Sequence, residues 1–187
     1  MTTTTTLTTQ RLILRPWRED DLEPFAALNA DPEVMRFFPR LLDREQSDAM
    51  AHRIGSRVAD EGWGLWAAEV KDGAPFIGFI GLQPIPFEAH FTPALEVGWR
   101  LDKAHWGRGY APEGARAALD HAFGVLGYDE VVSMTTPANL PSQRVMQKLG
   151  LTRDPADDFD HPNLPEWEHK RHVLYRIRRE AWLAARP

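Results

Sequence analysis

A glycine-containing segment near the middle of the chain has the residue types of a phosphate-binding loop. Its six residues are Trp106, Gly107, Arg108, Gly109, Tyr110 and Ala111. Gly107 and Gly109 allow a ligand to approach the backbone closely, and the helix predicted to begin at about Tyr110 presents unpaired N–H groups with a partial positive charge. Arg108 could add a charged contact. The segment indicates a phosphate site, with an ordinary glycine-rich loop as the alternative.

A carboxylate, Glu96, interrupts an apolar strand that is predicted from Ala94 to Leu101. Its side chain alternates out of phase with Leu95 and Val97, so it projects from one face of the strand. A carboxylate in such a strand needs a reason. A glutamate at a strand edge or facing solvent is the alternative to a functional one.

A third segment, from Asn139 to Leu151, has the pattern of a capped amphipathic helix. Asn139 suits the N-cap position, Ser142 lies in the first turn, and Gly150 follows the last apolar residue as a stop signal. The predicted buried stripe consists of Val145, Met146 and Leu149. Capping and packing alone account for most of this segment.

Together these segments resemble the GNAT superfamily of N-acetyltransferases. The loop is similar to the family's pyrophosphate-binding pattern Gln/Arg-x-x-Gly-x-Gly/Ala, with Gly109 and Ala111 at the small positions and Trp106 in place of Gln or Arg. The form Trp-Gly-Lys/Arg-Gly-Tyr-Ala resembles the ribosomal-protein alanine N-acetyltransferase (RimJ/RimL-like) branch. The helix resembles the family's Asn-x-x-Ser-x-x-Val-x-x-Lys-x-Gly-Phe segment, with Leu151 in place of the final Phe.

The resemblance implies acetyl-CoA as co-substrate and direct acetyl transfer to an amine in a ternary complex. The residues implied to bind the cofactor are Val97, Trp99, Arg100, Leu101, Trp106, Gly107, Arg108, Gly109, Tyr110, Ala111, Asn139, Ser142 and Met146. Backbone groups from Trp99 to Leu101 would pair with pantetheine amides, and the N–H of Val97 or a neighbour would stabilise the oxyanion. Asn139 and Ser142 would hydrogen-bond the pantetheine or its sulfur.

The acid that protonates the departing thiolate is a further role that the resemblance implies. Many members of the superfamily use a tyrosine at the position of Met146, and Ser142 is the replacement we expect here. Phe37 and Phe38 resemble the segment that borders the acceptor. The resemblance also implies that Glu96 contacts the acceptor and accepts the proton of its amine, since a protonated alkyl amine cannot attack a thioester. The acceptor is an amine, on a protein N-terminus or a small molecule. A catalytically weak acyl-CoA-binding sensor or partner protein is the alternative.

The order of elements predicts an α+β fold with a mixed sheet. A strand and two helices precede three antiparallel strands, after which helix, strand, helix and strand follow, without the regular alternation of a doubly wound fold. The resemblance implies a mostly antiparallel, twisted central sheet that is splayed between two strands, with helices on both faces. Residues 1–187 are predicted to form a single acetyltransferase domain, in which the threonine-rich residues 1–8 are a flexible terminus.

Two further features lie outside these motifs. The segment from Asp154 to Asp160 is predicted to be a polar acidic loop, and its charge suggests the hypothesis that it attracts a cationic acceptor. His161 and His169 follow it without the spacing of metal ligands, so they are interpreted as solvent-exposed loop histidines.

Composition excludes several other classes of function. The chain has no cysteine, so it has no disulfide, thiolate metal site or cysteine nucleophile. Its net charge is -5 with lysine and arginine scattered among acidic residues, which argues against a nucleic-acid partner. No apolar run approaches the roughly 18 residues of a membrane span, so we expect no membrane association and a cytoplasmic location. No metal is expected, and the resemblance leaves room for a homodimer.

Overall fold

The computed structural model describes residues 4–185. Within them the strands are Leu7–Thr8 (β1), Leu12–Arg15 (β2), Leu65–Val70 (β3), Gly78–Pro84 (β4), Leu95–Leu101 (β5), Glu130–Thr135 (β6), Thr152–Arg153 (β7), Phe159–Asp160 (β8) and Arg171–Arg178 (β9). The α-helices are Leu22–Ala30 (α1), Arg44–Glu61 (α2), Tyr110–Gly124 (α3), Leu140–Lys148 (α4) and Arg179–Ala184 (α5). Short 3-10 helices cover Glu19–Asp21, Lys103–His105 and Pro155–Asp157.

The strands form one mixed sheet in the order β1-β2-β3-β4-β5-β6-β9-β7, with β8 paired to β9. Neighbouring strands are antiparallel except β5 and β6, which run parallel and, in the described part of the chain, share a single register pair, Glu96 with Val132. By contrast, β4 and β5 pair along their whole length. The predicted mixed, mostly antiparallel sheet that is splayed between two strands is therefore confirmed.

Helices cover both faces of this sheet, as predicted. On one face α3 lies directly against β4, since a Cβ atom added at Gly114 would be 2.6 Å from Cδ1 of Ile80. Helix α4 packs beside α3 and against β6. On the opposite face, Phe25 of α1 meets Phe79 of β4 edge-on, with ring centroids 6.1 Å apart. The core is thus closed on both sides, and the splay is the place where the sheet remains open.

Local sequence signals set the ends of the two helices that flank the sheet. Asp43 accepts a hydrogen bond from the backbone N–H of Gln46 (2.8 Å), and the Gln46 side chain accepts one from the N–H of Asp43 (3.3 Å), which together cap α2. Gly62 ends α2 with a φ of 80°, and Gly109 precedes α3 with a φ of 81°. These left-handed conformations favour glycine, so a glycine sets the end of α2 and the start of α3.

Two segments that were expected to lack regular structure contain some. The prediction of a flexible terminus over residues 1–8 is wrong for Leu7 and Thr8, which pair with β2 and extend the sheet at that edge; residues 1–3 lie outside the described part. The acidic segment 154–160 holds a 3-10 helix and β8, in which Phe159 pairs with His172. The interpretation of residues 1–187 as a single domain stays a prediction.

A buried network of ion pairs fixes β2 against the start of α1. Arg15 donates hydrogen bonds from its two terminal nitrogens to the carboxylate of Asp21, both at 2.8 Å, and from Nε to Glu69 of β3 at 2.6 Å. Arg15 is 3% exposed and Asp21 is 2% exposed. Burial disfavours the charged guanidinium, but the two carboxylates outweigh it and raise the pKa of Arg15. Each charge buried here therefore has an opposite partner.

Candidate active site

The splay between β5 and β6 opens into a cleft of about 740 Å³. This volume is in the range of sites that enclose small molecules and cofactors. The predicted site residues that line the cleft are Phe37, Phe38, Glu96, Trp99, Arg100, Leu101, Trp106, Gly107, Gly109, Tyr110, Ala111, Asn139, Ser142 and Met146. Val97 and Arg108 lie beside the cleft without lining it. The structure therefore brings together residues from four separate segments of the chain.

Alternate residues of β5 direct their backbone groups into the gap. The N–H of Asp102 donates to the carbonyl oxygen of Ile77 (2.9 Å), and the N–H of Ile85 donates to that of Ala94 (3.0 Å). Even-numbered residues along β5 thus make the ladder with β4, because antiparallel pairing alternates along a strand. The odd-numbered residues face β6, from which β5 diverges.

This pattern leaves Trp99 with free backbone groups. The single register pair between β5 and β6 occupies the N–H of Val97, and the carbonyl oxygen of Leu101 accepts a hydrogen bond from Nε1 of Trp106 at 2.8 Å. Trp99 has neither kind of partner among the described residues, so its N–H and C=O are available to an amide of a ligand. Of the N–H groups that could serve an oxyanion, that of Val97 is thus engaged with β6 and that of Trp99 is free.

The loop before α3 has the conformation that a phosphate-binding loop requires. Asp102 accepts a hydrogen bond from the N–H of Ala104 (3.1 Å), which begins the 3-10 turn after β5. Gly107 and Gly109 follow with φ values of 73° and 81°, which are strained for any residue with a Cβ atom. Tyr110 then starts α3, whose first N–H groups have no partner within the helix. These donors open onto the cleft at the wide end of the splay.

An ion pair that sequence reasoning did not find supports this loop from behind. Arg11 donates from Nη1 to the carbonyl oxygen of Arg108 (2.9 Å) and lies over the ring of Tyr110 at 4.8 Å. Glu113 accepts from the Nε and the backbone N–H of Arg11, both at 2.7 Å, and from the Thr9 hydroxyl at 2.6 Å. Burial raises the pKa of Glu113, but these hydrogen bonds outweigh it and lower the pKa overall. The carboxylate is therefore held ionised.

Glu96 lies on the cleft wall near the point where β5 and β6 still touch. Its Oε2 accepts a hydrogen bond from Nε2 of Gln83 at 2.7 Å, and no cation of the described residues forms an ion pair with it. Burial raises the pKa of Glu96 to about 7, although the hydrogen bond from Gln83 opposes this rise. A carboxyl with that pKa accepts and releases a proton readily near neutral pH. Gln83, which orients it, was not found from the sequence.

The start of α4 presents one free hydroxyl to the cleft. The side chain of Asn139 donates to the hydroxyl of Thr135 (2.8 Å) and accepts from the N–H of Ser142 (3.3 Å), so both its polar groups serve the helix cap. Ser142 is partly buried, and its hydroxyl has no hydrogen-bond partner in the described chain. Met146 is 1% exposed and belongs to the core. Of these three residues, Ser142 is the one whose side chain can act on a ligand.

The backbone of Arg100 pairs with Phe79 of β4, so only its side chain is available to the cleft, which it lines. Its Nη1 donates to Oδ1 of Asn29 in α1 (2.6 Å), and its Nε is buried without a hydrogen-bond partner. Phe38 stacks on the guanidinium with 4.0 Å between the Cζ atom and the ring centroid. Phe37 lines the same end of the cleft. The two phenylalanines and Arg100 thus form its α1–α2 side.

Aromatic residues from the segment before β9 close the opposite side. His161, Trp167 and His172 line the cleft, with the two histidine rings 5.3 Å apart. Burial lowers the pKa of both histidines, and for His161 the neighbouring His172 lowers it further. The interpretation of His161 as a solvent-exposed loop residue is therefore wrong, because β8 pairs with β9 and carries it inward. His169 lies outside the cleft wall, beside Glu168.

The acidic residues between β7 and β8 are used within the fold. They lie outside the cleft wall. Their ion-pair partners are Arg176 and His90 for Asp157, Arg153 for Asp158 and Arg171 for Asp160. The hypothesis that this segment attracts a cationic acceptor loses its basis, because these carboxylates already have basic partners.

Among residues 4–185, no group of three or more histidine or acidic side chains is placed to hold a metal ion. No helix in the same range is both long and apolar enough to cross a bilayer.

Comparison with known proteins identifies the family of the chain. Residues 11–152 match the family described as acetyltransferase (GNAT) domain. A relative in Aspergillus fumigatus, named FsC-acetyl coenzyme A-N(2)-transacetylase, is 33% identical over 187 residues, covering 95% of this chain and 78% of its own.

Solved structures share the fold. An acetyltransferase of the GNAT family from Bacillus anthracis has a TM-score of 0.76 at 22% identity and covers 94% of this chain and 99% of its own. A ribosomal-protein-S5-alanine acetyltransferase from Vibrio fischeri has a TM-score of 0.73 at 14% identity, covering 98% and 100%. At these identities the likeness concerns the fold alone. The family match and the fungal relative together show that the chain belongs to the GNAT family of N-acetyltransferases.

Proposed function

We propose that this protein transfers the acetyl group of acetyl-CoA directly to an amine, with both substrates bound in the cleft. The observation that carries the proposal is Glu96, a carboxyl with a pKa of about 7 that faces the gap between β5 and β6. The other requirements of the reaction, a phosphate-binding helix start and free backbone amides, are met within the same cleft.

The residues present fit the cofactor. The N–H groups at the start of α3, with Gly107 and Gly109 before them, would hold its pyrophosphate. The free C=O of Trp99 would accept a hydrogen bond from an amide N–H of its pantetheine arm, on the side of β5 that β6 leaves open. When bound, acetyl-CoA supplies a thioester whose carbonyl carbon accepts the amine.

Glu96 is proposed to accept the proton of the acceptor amine. An alkylammonium loses its proton to a carboxylate with a raised pKa more readily than to an ordinary one, because the two pKa values lie closer together. Gln83 keeps the carboxylate oriented through the hydrogen bond to Oε2. The N–H of Trp99 would stabilise the negative charge that develops on the carbonyl oxygen.

Ser142 is proposed to donate the proton that the departing thiolate needs. Its hydroxyl faces the cleft, whereas Asn139 is committed to the helix cap. Met146, at the position of the tyrosine in many family members, has no proton to give. We expect Ser142→Ala to have a smaller effect than loss of Glu96, since water can enter the cleft at this point.

The acceptor is proposed to be a primary amine on a small molecule or a protein N-terminus. The name of the fungal relative describes an N(2)-transacetylase, which supports an amine acceptor. The sequence resemblance to the RimJ/RimL-like branch supports a protein N-terminus. The cytoplasmic location and the homodimer stay predictions.

The first test is calorimetric titration with acetyl-CoA and CoA, followed by thiol release across a panel of amines and peptides. We expect both ligands to bind, and Glu96→Gln to lower kcat by about 10²- to 10⁴-fold while cofactor affinity is kept. Glu61→Gln, at the exposed end of α2, is the matched control. Absence of cofactor binding would contradict the proposal. Binding without turnover would favour the alternative, an acyl-CoA-binding sensor. Full activity in Glu96→Gln would show that Glu96 is not the base.

A further inference from the structure

Arg100 differs from the other buried arginine of the described chain in having no carboxylate partner. Arg15 and Arg100 are 3% and 9% exposed, and Arg15 pairs with both Asp21 and Glu69. No acidic side chain forms an ion pair with Arg100 among residues 4–185. A buried charge without an opposite partner is costly to the fold, so its position calls for a ligand or another compensating group.

The guanidinium of Arg100 is also held in place with part of its hydrogen-bonding capacity unused. Asn29 takes a hydrogen bond from Nη1 and in turn donates from Nδ2 to the Ser47 hydroxyl at 2.9 Å, so the acceptor of Nη1 is itself fixed. The rings of Phe38 and Phe79 lie against the guanidinium, with 4.0 and 5.5 Å between its Cζ atom and their centroids. The Nε atom is buried without a partner, and Nη2, which is not enclosed in this way, makes no hydrogen bond to a described residue. Nη2 is therefore the donor that an anionic group in the cleft can reach, through a charge-assisted hydrogen bond.

The guanidinium of Arg100 belongs to the acceptor side of the cleft. Glu96 and Arg100 are four residues apart on β5, so they share one face of the strand, the face that α1 and α2 cover. Phe38, which covers the guanidinium, is 36% exposed and lies in the loop between those helices. Burial lowers the pKa of Arg100 to about 10, so the group remains cationic at neutral pH.

We propose that Arg100 binds a carboxylate of the acceptor, so that the substrate is an amine that also carries an anionic group. The inference rests on the proposed function of the same cleft. The Cα atoms of two strand residues four positions apart are separated by about 13 Å. The amine beside Glu96 and the carboxylate beside Arg100 must therefore be several bonds apart, as in a short peptide or an ω-amino acid, and farther apart than in a single α-amino acid.

The test compares acceptors in matched pairs. Alanyl dipeptides and tripeptides with a free carboxyl terminus are assayed against the same peptides as C-terminal amides, in the wild type and in Arg100→Met. We expect the wild type to prefer the free carboxylate by about tenfold to a hundredfold in kcat/KM, since a charge-assisted hydrogen bond is lost in the amide. In Arg100→Met the ratio of kcat/KM for the acid to that for the amide is expected to fall to about one.

Two further variants keep the result interpretable. Arg36→Met removes an exposed arginine that also lines the cleft, and it is expected to retain the preference. Arg100→Lys keeps the positive charge without the planar guanidinium and is expected to retain a smaller preference for the free carboxylate. If Arg100→Met does not fold, the ratios of kcat/KM for acid and amide peptides in the lysine variant and in the wild type still test the proposal.

The outcomes separate this inference from the proposed function. Turnover with equal rates for acid and amide peptides, in a protein that binds acetyl-CoA normally, would overturn the inference alone. A rise in the dissociation constant of acetyl-CoA in Arg100→Met, with an unchanged peptide preference, would also overturn it, because Arg100 would then serve the cofactor. Failure of the wild type to bind acetyl-CoA or to acetylate any amine would instead contradict the proposed function.

Discussion

Charged side chains are arranged differently around β2 and around the acceptor side of β5. Near β2, Arg15 pairs with Asp21 and Glu69, and Arg11 pairs with Glu113. Along β5, Glu96 and Arg100 face the cleft, and neither has an ion-pair partner in the described chain. Within one sheet, the charges near β2 are therefore paired, whereas those along β5 are not.

The difference separates charges that hold the fold from charges that are available to ligands. In a buried ion pair each charge compensates the other, so removing one member leaves an uncompensated buried charge. An unpaired buried charge has a shifted pKa and free hydrogen-bonding capacity, which is typical of functional sites. Variants that treat the two regions alike should therefore give unlike results.

The largest effect is expected from Arg15→Met. It leaves Asp21 and Glu69 without their cation, and we expect a loss of about 3–5 kcal/mol in the free energy of unfolding. Arg100→Met, by contrast, removes a charge that has no partner, so its stability should stay within about 1 kcal/mol of the wild type or rise. Urea denaturation at neutral pH measures both values.

Arg18→Met is the matched control for the Arg15 variant. Arg18 also contacts Glu69, at 3.3 Å, but its side chain is 59% exposed. Its replacement should change stability little, because exposed ion pairs contribute little. Equal losses in the variants of Arg15 and Arg100 would break the comparison between the two strands.

The next effect concerns Glu96 and pH. Because Glu96 must be ionised to accept a proton and its pKa is about 7, kcat should rise about tenfold per pH unit below 7 and level off above it. In Glu96→Gln this inflection should be absent from the pH–rate profile. A wild-type profile without an inflection between pH 6 and 8 would show that an ionisation of Glu96 does not limit the reaction.

Stability should depend on pH in the opposite sense. Folding raises the pKa of Glu96 from its ordinary value, so the folded protein holds this proton more tightly than the unfolded chain does. The contribution is fully present below the ordinary glutamate pKa and is lost as the pH rises through about 7. The midpoint of denaturation of Glu96→Gln should therefore fall less between pH 5 and pH 8 than that of the wild type.

The smallest effect is expected from Glu113→Gln, which weakens the support of the phosphate loop. Arg11 would lose its charged partner and hold the carbonyl of Arg108 less firmly. We expect the dissociation constant of acetyl-CoA to rise about fivefold, equivalent to about 1 kcal/mol, with kcat nearly unchanged. Calorimetry measures it, with Glu61→Gln as control. An unchanged affinity would show that the glycine loop keeps its shape without this pair.

Much of the fold follows from local patterns along the chain. The hairpin of β3 and β4, the Asp43 cap of α2 and the stop at Gly62 each depend on neighbouring residues, and each could be predicted. The short strands β1, β7 and β8 could not, because they exist through pairing with β2 and β9 and have little pattern of their own. The single pair that marks the splay is likewise a property of tertiary structure.

The candidate site divides along the same line. Glu96 and the glycine loop could be found from alternation and spacing, since their chemistry is carried by adjacent residues. Arg11 and Glu113 are 102 positions apart in the chain, so nothing in either segment indicates the other. The burial of Arg100 and the inward position of His161 depend on how α1 and β8 pack, which no local pattern reveals.

The joint between β5 and β6 has a consequence for the lifetime of the protein. Two halves of the sheet meet there at one register pair, so a cofactor that fills the gap adds its binding free energy to the cohesion between them. At a concentration a hundredfold above the dissociation constant, such linkage amounts to about 2.7 kcal/mol. Resistance to unfolding and to proteolysis would then rise with the concentration of acetyl-CoA.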